Sequence, residues 1–380
     1  MMTNQNLYSD LAIAPGEYLT EVLEDLGMSQ AELARRMGRP IQPINEIVKG
    51  NKAITPDTAL QLEKVTGVPA YLWIGLEDEY RLTLARQEEQ EQLERETELL
   101  RPDCFDPKLY NEMAKFGWVE KTRKKVEKVK ELLRFFGVSS LFNLADVRSY
   151  APAFRVAKSQ TNCNNYALAA WLRQGELEAK HSEQETNVKP FDAGHLKSAI
   201  PKLRALTLES PEVFLSRART LLADCGTILL IIPHLPKTYA HGATFWISPV
   251  KVVVQLSIRQ GWADIFWFSL FHELGHILLH GKRDTILSFK KEDYIRIYGD
   301  ASSVEKEDEA DAFARNTLIP QGAYREFVAQ EIFTKTAVQA FAERIEVASG
   351  IVVGRLQHDK YLDYSELNDL RERYTWSDRN

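Results

Sequence analysis

Cysteine is scarce in this chain. There are three in 380 residues, Cys104, Cys163 and Cys225, far apart and without a CxxC pair. That excludes a disulfide framework and a zinc ribbon, and it fits a reducing, cytoplasmic setting. Long apolar runs are also missing. TILLII is short, and the most apolar helical stretch is interrupted by Ser269, His272 and Glu273, so no membrane span is expected. The first residues, MMTNQNLYSDLA, lack a basic segment followed by an apolar one and do not read as a signal peptide. An excess of positive charge is absent too: the net charge is −6, so any contact with nucleic acid has to come from a local patch. The length suits two or three domains, and the apolar and charged fractions are those of an ordinary soluble protein.

The most informative stretch is Phe266 to Gly281, FWFSLFHELGHILLHG. His272 and His276 are four apart, so on an α-helix they lie about 40° apart on one face, one turn from each other. Two neutral imidazoles presented this way can bind one metal ion, and Glu273 beside the first can take a proton from water. The neighbours are apolar on nearly every side, which predicts a buried helix, and small Gly275 leaves room for a close neighbour. A buried polar cluster needs partners, and a metal is a natural one.

A third ligand is sought in EKEDEADAFARNTLIP, after a loop over 282–303. The extended pattern HExxHxxGxxH fails, since position 279 is Leu and position 282 is Lys. Glu307 and Asp311 are four apart on the next helix: Glu307 can reach a metal, and Asp311 can accept the outward N–H of a ligand histidine. Glu305 and Glu309 are rivals of Glu307, and His280 reads as outer or surface. Ala310, Phe313 and Ala314 are expected to pack this helix against the first. Upstream, TILLIIPHL reads as one strand, and ATFWISPVKVVVQLSI as two around a turn at Ser248-Pro249. Residues 243–247 are a possible edge strand able to pair with an extended substrate.

Residues 15 to 74 read as a bundle of short helices. Pro15 opens the first; Ser29 caps the second, with Glu32 completing a capping box; a third spans about Ile41 to Val48. Thr55, Pro56 and Gly67 mark the start and end of the fourth. From Glu77 to Leu100 the chain is highly charged and reads as a solvated helix. Residues 108–223 look mainly helical, with HSEQETNVKPFD as a loop and no catalytic constellation.

The pieces SQAELARRMG, INEIVKGNKAITPDTALQLEKVTG and AYLWIGL resemble the XRE-type DNA-binding domain, most closely its HigA-like antitoxin branch. By that resemblance the recognition helix covers about 41–49. Gln42, Asn45 and Lys49 would face the major groove, and Arg39 and Lys52 would lie near phosphates. Acids oppose this: Glu17, Glu21, Glu24, Asp25 and Glu32 lie in the same module, and Glu46 on the recognition helix itself, where it would repel phosphate. An interaction bundle that no longer binds DNA is the alternative. XRE-type domains generally bind paired half-sites as dimers, which suggests a homodimer on operator DNA.

HELGHILLHG, EDEADAFARNTLIP and GIVVGRLQHD resemble the ImmA/IrrE family of metallopeptidases over roughly 225–360. The resemblance implies a gluzincin-like α+β fold, Zn2+ held by His272, His276 and Glu307, and Glu273 as catalytic base. Tyr239, His241, Tyr294 and Arg355 are candidates for stabilising the oxyanion, with His241 slightly favoured because it precedes the presumed edge strand; Arg355 reads equally as a structural salt-bridge residue. The expected architecture is α+β, with an all-α helix-turn-helix domain over 1–76 and a charged helical linker over 77–107. A helical support region follows over 108–223, then a zinc-peptidase domain with a small sheet over 224–380. The expected function is a DNA-binding regulator whose zinc endopeptidase makes one regulatory cut in a repressor- or antitoxin-type protein or in itself, with a repressor, antitoxin or toxin as its protein partner. The alternative is a DNA-binding repressor or antitoxin whose metal site is structural or sensory.

Overall fold

The computed structural model describes residues 11–156, 163–185, 187–259, 261–281, 286–288 and 301–375. The chain divides into two compact units, residues 1–97 and 98–380.

The first unit is all-α: α1 Pro15–Asp25, α2 Gln30–Arg36, α3 Ile41–Val48, α4 Pro56–Thr66 and α5 Ala70–Glu96. Each start follows from local chemistry. The Ser29 hydroxyl accepts from the Glu32 N–H at 3.2 Å, and the Thr55 hydroxyl accepts from the Thr58 N–H at 3.3 Å. The capping box is half built, because the Glu32 carboxylate pairs with Arg36 at 2.9 Å and Arg35 at 2.8 Å instead. Gly67 closes α4 in the left-handed region at φ 76°, where a side chain would be strained. The apolar faces meet in one core that includes Leu19, Leu33, Ile44, Ile47, Leu62 and Trp73. The aromatic stretch around Trp73 lies in the first turns of α5, and the helix then runs unbroken through the charged segment. Glu77 belongs to the bundle: its buried carboxylate accepts from the Ile54 N–H at 2.9 Å and holds Arg81 at 2.7 Å.

The second unit is α+β. Its helices are α6 Pro107–Lys115, α7 Lys125–Phe136, α8 Ala151–Val156, α9 Asn165–Glu185, α10 Ala193–Ala205 and α11 Pro211–Asp224. The segment HSEQE, expected in a loop, instead completes α9. Then come β1 Thr227–Ile231, β2 Gly242–Ser248, β3 Lys251–Leu256, α12 Ala263–Leu279 and β4 Ile286–Ser288. The chain ends in α13 Ala301–Leu318, α14 Gln321–Val328, α15 Lys335–Arg344 and α16 Ser349–His358. The sheet order is β1-β3-β2-β4, with β1 parallel to β3 and the other pairs antiparallel. β2 is therefore not an edge along its first half: Gly242, Ala243 and Thr244 pair with Ser288, Leu287 and Ile286. That corrects the expected edge strand at Ala243 and Thr244; over 245–247 no described strand pairs with β2 on that side. A three-residue strand from beyond α12 takes the place, and nothing in its sequence sets it apart from loop.

The metal-motif helix α12 is the centre of the larger core, with Phe266, Trp267, Leu270, Phe271, Leu274 and Ile277 all buried in it. Its first turn is braced by the C-terminal segment. Arg371 grips the Asp264 carboxylate with two nitrogens, at 3.1 and 2.9 Å, and the two side chains are only 7% and 9% exposed. Burial pushes the Asp264 carboxyl up, and the Arg371 guanidinium opposes that shift. The Trp267 indole N–H donates to the Tyr374 hydroxyl at 3.1 Å, and the Ala263 N–H to the Glu372 carbonyl at 3.0 Å. No helix of the described residues is long and apolar enough to cross a membrane.

Removing one member of a buried, doubly bonded ion pair strands the other. Arg371→Leu is expected to cost about 3–5 kcal/mol in urea unfolding, and Arg371→Leu combined with Asp264→Leu substantially less. Equal losses in the two variants would mean that the pair is not what holds the segment.

Candidate functional site

Two helices build the cluster. α12 supplies His272 and His276 one turn apart, and α13 crosses it closely enough to supply Glu307 and Asp311. The crossing depends on Gly275. A methyl group there would lie 3.2 Å from the Ala310 Cα and 3.1 Å from the Phe313 ring, so the backbones approach where both residues are small.

The donor atoms of His272, His276 and Glu307 all lie within 4.8 Å of one another, and all three residues are buried. The two Nε2 atoms face each other at 3.0 Å. The Glu307 carboxylate reaches His272 Nε2 at 3.2 Å with one oxygen and His276 Nε2 at 3.0 Å with the other. This second contact is close without being aligned as a hydrogen bond, and Glu307 Oε1 is buried with no hydrogen-bond partner among the described residues. Four tetrahedral donors about 2.1 Å from a zinc ion would stand roughly 3.4 Å apart, near the spacing observed. On the far side of its ring, His272 Nδ1 lies 2.9 Å from Asp311 Oδ1. With the N–H donated there, Nε2 is left as the lone-pair nitrogen. Two imidazoles and a carboxylate, one of its oxygens unsatisfied, fit a borderline cation such as zinc.

The electrostatics point the same way. Burial disfavours charge on His272, but hydrogen bonds to Asp311 and Glu307 and the field of nearby carboxylates outweigh it and raise its pKa to about 10. Burial likewise pushes Glu307 up, and the two histidines outweigh it, bringing it down to about 2. Without a metal, positive charge at the cluster is already stabilised by buried acids.

Glu273 follows His272 but turns to the sheet. It is fully buried, and its Oε2 accepts a 2.6 Å hydrogen bond from the Thr244 hydroxyl on β2. Gly242, two residues earlier on the same face of β2, lies against its other oxygen: a Cβ there would stand 2.2 Å from Oε1. Thr244 was read from the sequence only as part of an edge strand, and Gly242 not at all. The available signal was the alternation Gly-Ala-Thr, which puts a missing side chain and a hydroxyl on one face.

The other candidates separate clearly. His241 immediately precedes Gly242, half-buried, its carbonyl accepting from the Ser257 N–H at 3.0 Å. Tyr239 stands at φ 57°, with the Arg259 guanidinium 4.5 Å over its ring. Arg355 pairs with Asp359 at 2.6 Å and covers the Tyr324 ring, the structural role its motif also allowed. Tyr294 lies outside the described residues. Glu305 is exposed. Glu309 goes to His280, 3.5 Å away, and not to the cluster. His280 is not a surface residue: its side chain is 5% exposed, and its Nε2 lies 2.9 Å from the Lys306 carbonyl.

In the first unit, α3 buries Ile44 and Ile47 and turns Gln42, Asn45, Glu46 and Lys49 outward; Gln42 and Lys49 are exposed, and Asn45 and Glu46 partly so. Gln42 donates to Glu46 at 3.3 Å. Lys52 is exposed just beyond the helix. Arg39 is committed elsewhere: it donates to the Thr58 hydroxyl at 2.9 Å and pairs with Asp57, tying the turn between α2 and α3 to the start of α4.

Comparison with known proteins places both units. Residues 264–357 match the family model described as the IrrE N-terminal-like domain, of a peptidase family. Residues 19–73 match the helix-turn-helix model. The chain is 40% identical over 80 residues to the virulence-associated protein I of Dichelobacter nodosus, 21% of this chain and 74% of that protein. It is 30% identical over 73 residues to an uncharacterised HTH-type transcriptional regulator of Escherichia coli, 19% of this chain and 78% of that protein. This chain belongs to the helix-turn-helix regulators. Behind that domain, the regulator carries an IrrE-like peptidase-family domain. Similar solved structures cover the helix-turn-helix part. They include the Pseudomonas aeruginosa antitoxin HigA with its higBA promoter, 32% identical over 22% of this chain and 94% of that one, TM-score 0.21. Another is an addiction-module antidote protein of the HigA family from Coxiella burnetii, 35% identical over 22% of this chain and 92% of that one, TM-score 0.21.

Mass-spectrometric metal analysis of the purified protein checks the donor set. Glu307→Ala is expected to lose bound metal and Glu309→Ala to keep it, while Asp311→Ala weakens affinity by about 10- to 100-fold. Metal lost from Glu309→Ala alone would place the third ligand at Glu309, two residues further along the helix.

Proposed function

We propose that this regulator is a zinc-dependent endopeptidase of narrow specificity, making one regulatory cut in a repressor- or antitoxin-type protein, in another chain or in itself. The observation that carries the reading is the donor count. Structural zinc sites are closed by four protein ligands, whereas catalytic sites use three and leave one position open. Among the described residues three buried donors converge, and Glu273, next to His272 in the chain but outside that set, is held by the sheet. That division of labour favours hydrolysis over a structural or sensory metal.

His272, His276 and Glu307 would hold the ion, with Asp311 fixing the His272 ring. Zinc so held supplies Lewis acidity, acidifying water and polarising the scissile carbonyl. Glu273 takes a proton from the attacking water and returns it to the leaving amine as the C–N bond breaks. His241, beside Gly242 at the start of β2, is the favoured donor to the oxyanion.

The helix-turn-helix unit would bring this activity to DNA in the cytoplasm. Gln42 and Asn45 on the outward face of α3 suit adenine edges, and Lys49 and Lys52 suit phosphates. A pair of copies would meet two half-sites. Glu46, bonded to Gln42, weakens the electrostatic part of that contact.

The decisive experiment incubates the zinc-loaded protein with the repressor-type protein encoded next to it, comparing wild type with Glu273→Gln. Cleavage by wild type alone is expected. Equal cleavage by both, or none by either, removes the peptidase reading and leaves the structural or sensory metal. In gel mobility shift on its own promoter, Gln42→Ala with Asn45→Ala should lose the preference over unrelated DNA, and Glu46→Gln should bind more tightly at low salt. Unchanged preference would take α3 out of the interface.

A further inference from the structure

The mechanism above needs Glu273 in one orientation, and the helix alone does not provide it. A glutamate has three rotatable side-chain bonds, and the polar residues nearest it on α12 are engaged elsewhere: the Ser269 hydroxyl donates to the Ile265 carbonyl, and the rings of His272 and His276 face each other and Glu307. What fixes it comes from the sheet. The Thr244 hydroxyl donates to Oε2 at 2.6 Å, a short bond in a buried setting. Gly242 fills the adjacent position on the same face of β2, and its lack of a side chain is what admits the carboxylate, since a Cβ would lie 2.2 Å from Oε1 and 2.9 Å from Cγ. β2 itself is held at this point on both sides, by β3 and by β4.

We infer that Thr244 is a positioning residue for Glu273, and that Gly242 and Thr244 together form a two-point template on β2 that sets the proton acceptor. The inference rests on the reading of Glu273 as that acceptor. Thr244 engages one carboxylate oxygen by hydrogen bond and so fixes the direction in which the carboxylate faces. Gly242 gives the other oxygen its place beside the strand. A side chain at 242 would expel the carboxylate; a residue without a hydroxyl at 244 would release it.

The test uses the full chain loaded with zinc. Crystal structures and cleavage of the repressor-type protein encoded next to it are compared for wild type, Thr244→Val, Thr244→Ser and Gly242→Ala, with zinc content measured throughout. Thr244→Val keeps the shape and removes the donor; Thr244→Ala replaces it if the valine variant does not fold. In Thr244→Val and Gly242→Ala, the Glu273 carboxylate is expected to leave its position or spread over several rotamers. Zinc content and KM stay as in wild type, and kcat falls by about ten- to a hundredfold. Thr244→Ser is expected to restore both the single position and the rate. Glu273 unmoved in Thr244→Val overturns the inference whatever the rate. Glu273 displaced with kcat unchanged overturns it as well. Should wild type cleave nothing, the peptidase reading fails separately, and the position of Glu273 in the crystal structures still decides whether the template exists.

Discussion

The close crossing of α12 and α13 is the constraint on which the site depends. Three buried polar side chains, His272, His276 and Glu307, come together in an otherwise apolar interior, with half-buried Asp311 at its edge. Groups of this kind are costly to bury one at a time, and tolerable only when each satisfies another. Gly275 and Ala310 let the helices approach until that becomes possible. A larger side chain at either place would press on the facing helix at the point where these polar atoms meet. The rest of the larger unit holds α12 in place: the Arg371–Asp264 pair and Tyr374 at its first turn, His280 against the Lys306 carbonyl at its last.

The site is also divided by element. α12 and α13 present the cluster that could hold a metal, and the sheet presents Gly242 and Thr244 to Glu273. His272 and Glu273 are adjacent in sequence and so about 100° apart around the helix, which sends one toward α13 and the other toward β2. The HExxH spacing is thus more than a way to put two histidines on one face. It also assigns the acid to a different neighbour, where a hydroxyl can hold it without competing for the metal.

The two units solve different problems. The helix-turn-helix unit carries acids on and around its recognition helix, and Arg39, a natural phosphate contact, is engaged by Asp57 and Thr58. On the proposed reading, Lys49 and Lys52 are what remains to meet phosphate, with the amides of Gln42 and Asn45 toward the bases.

Much of this was legible in the residues. The 3.6-residue spacing of apolar positions, the Ser29 and Thr55 caps, the Gly67 stop and the turn at Ser248-Pro249 are local signals, and local chemistry decides them. His272, His276, Glu307 and Asp311 were also readable, because four-residue spacing on a helix fixes their faces wherever the helix goes. What the sequence could not determine were contacts between residues far apart in the chain. β4 covers the start of β2, Arg371 reaches Asp264 across 107 positions, and Thr244 holds Glu273 across 29. Glu307 was separated from Glu309 only when α13 settled against α12 and turned Glu309 to His280. Periodicity states which residues share a face; only packing decides what that face meets.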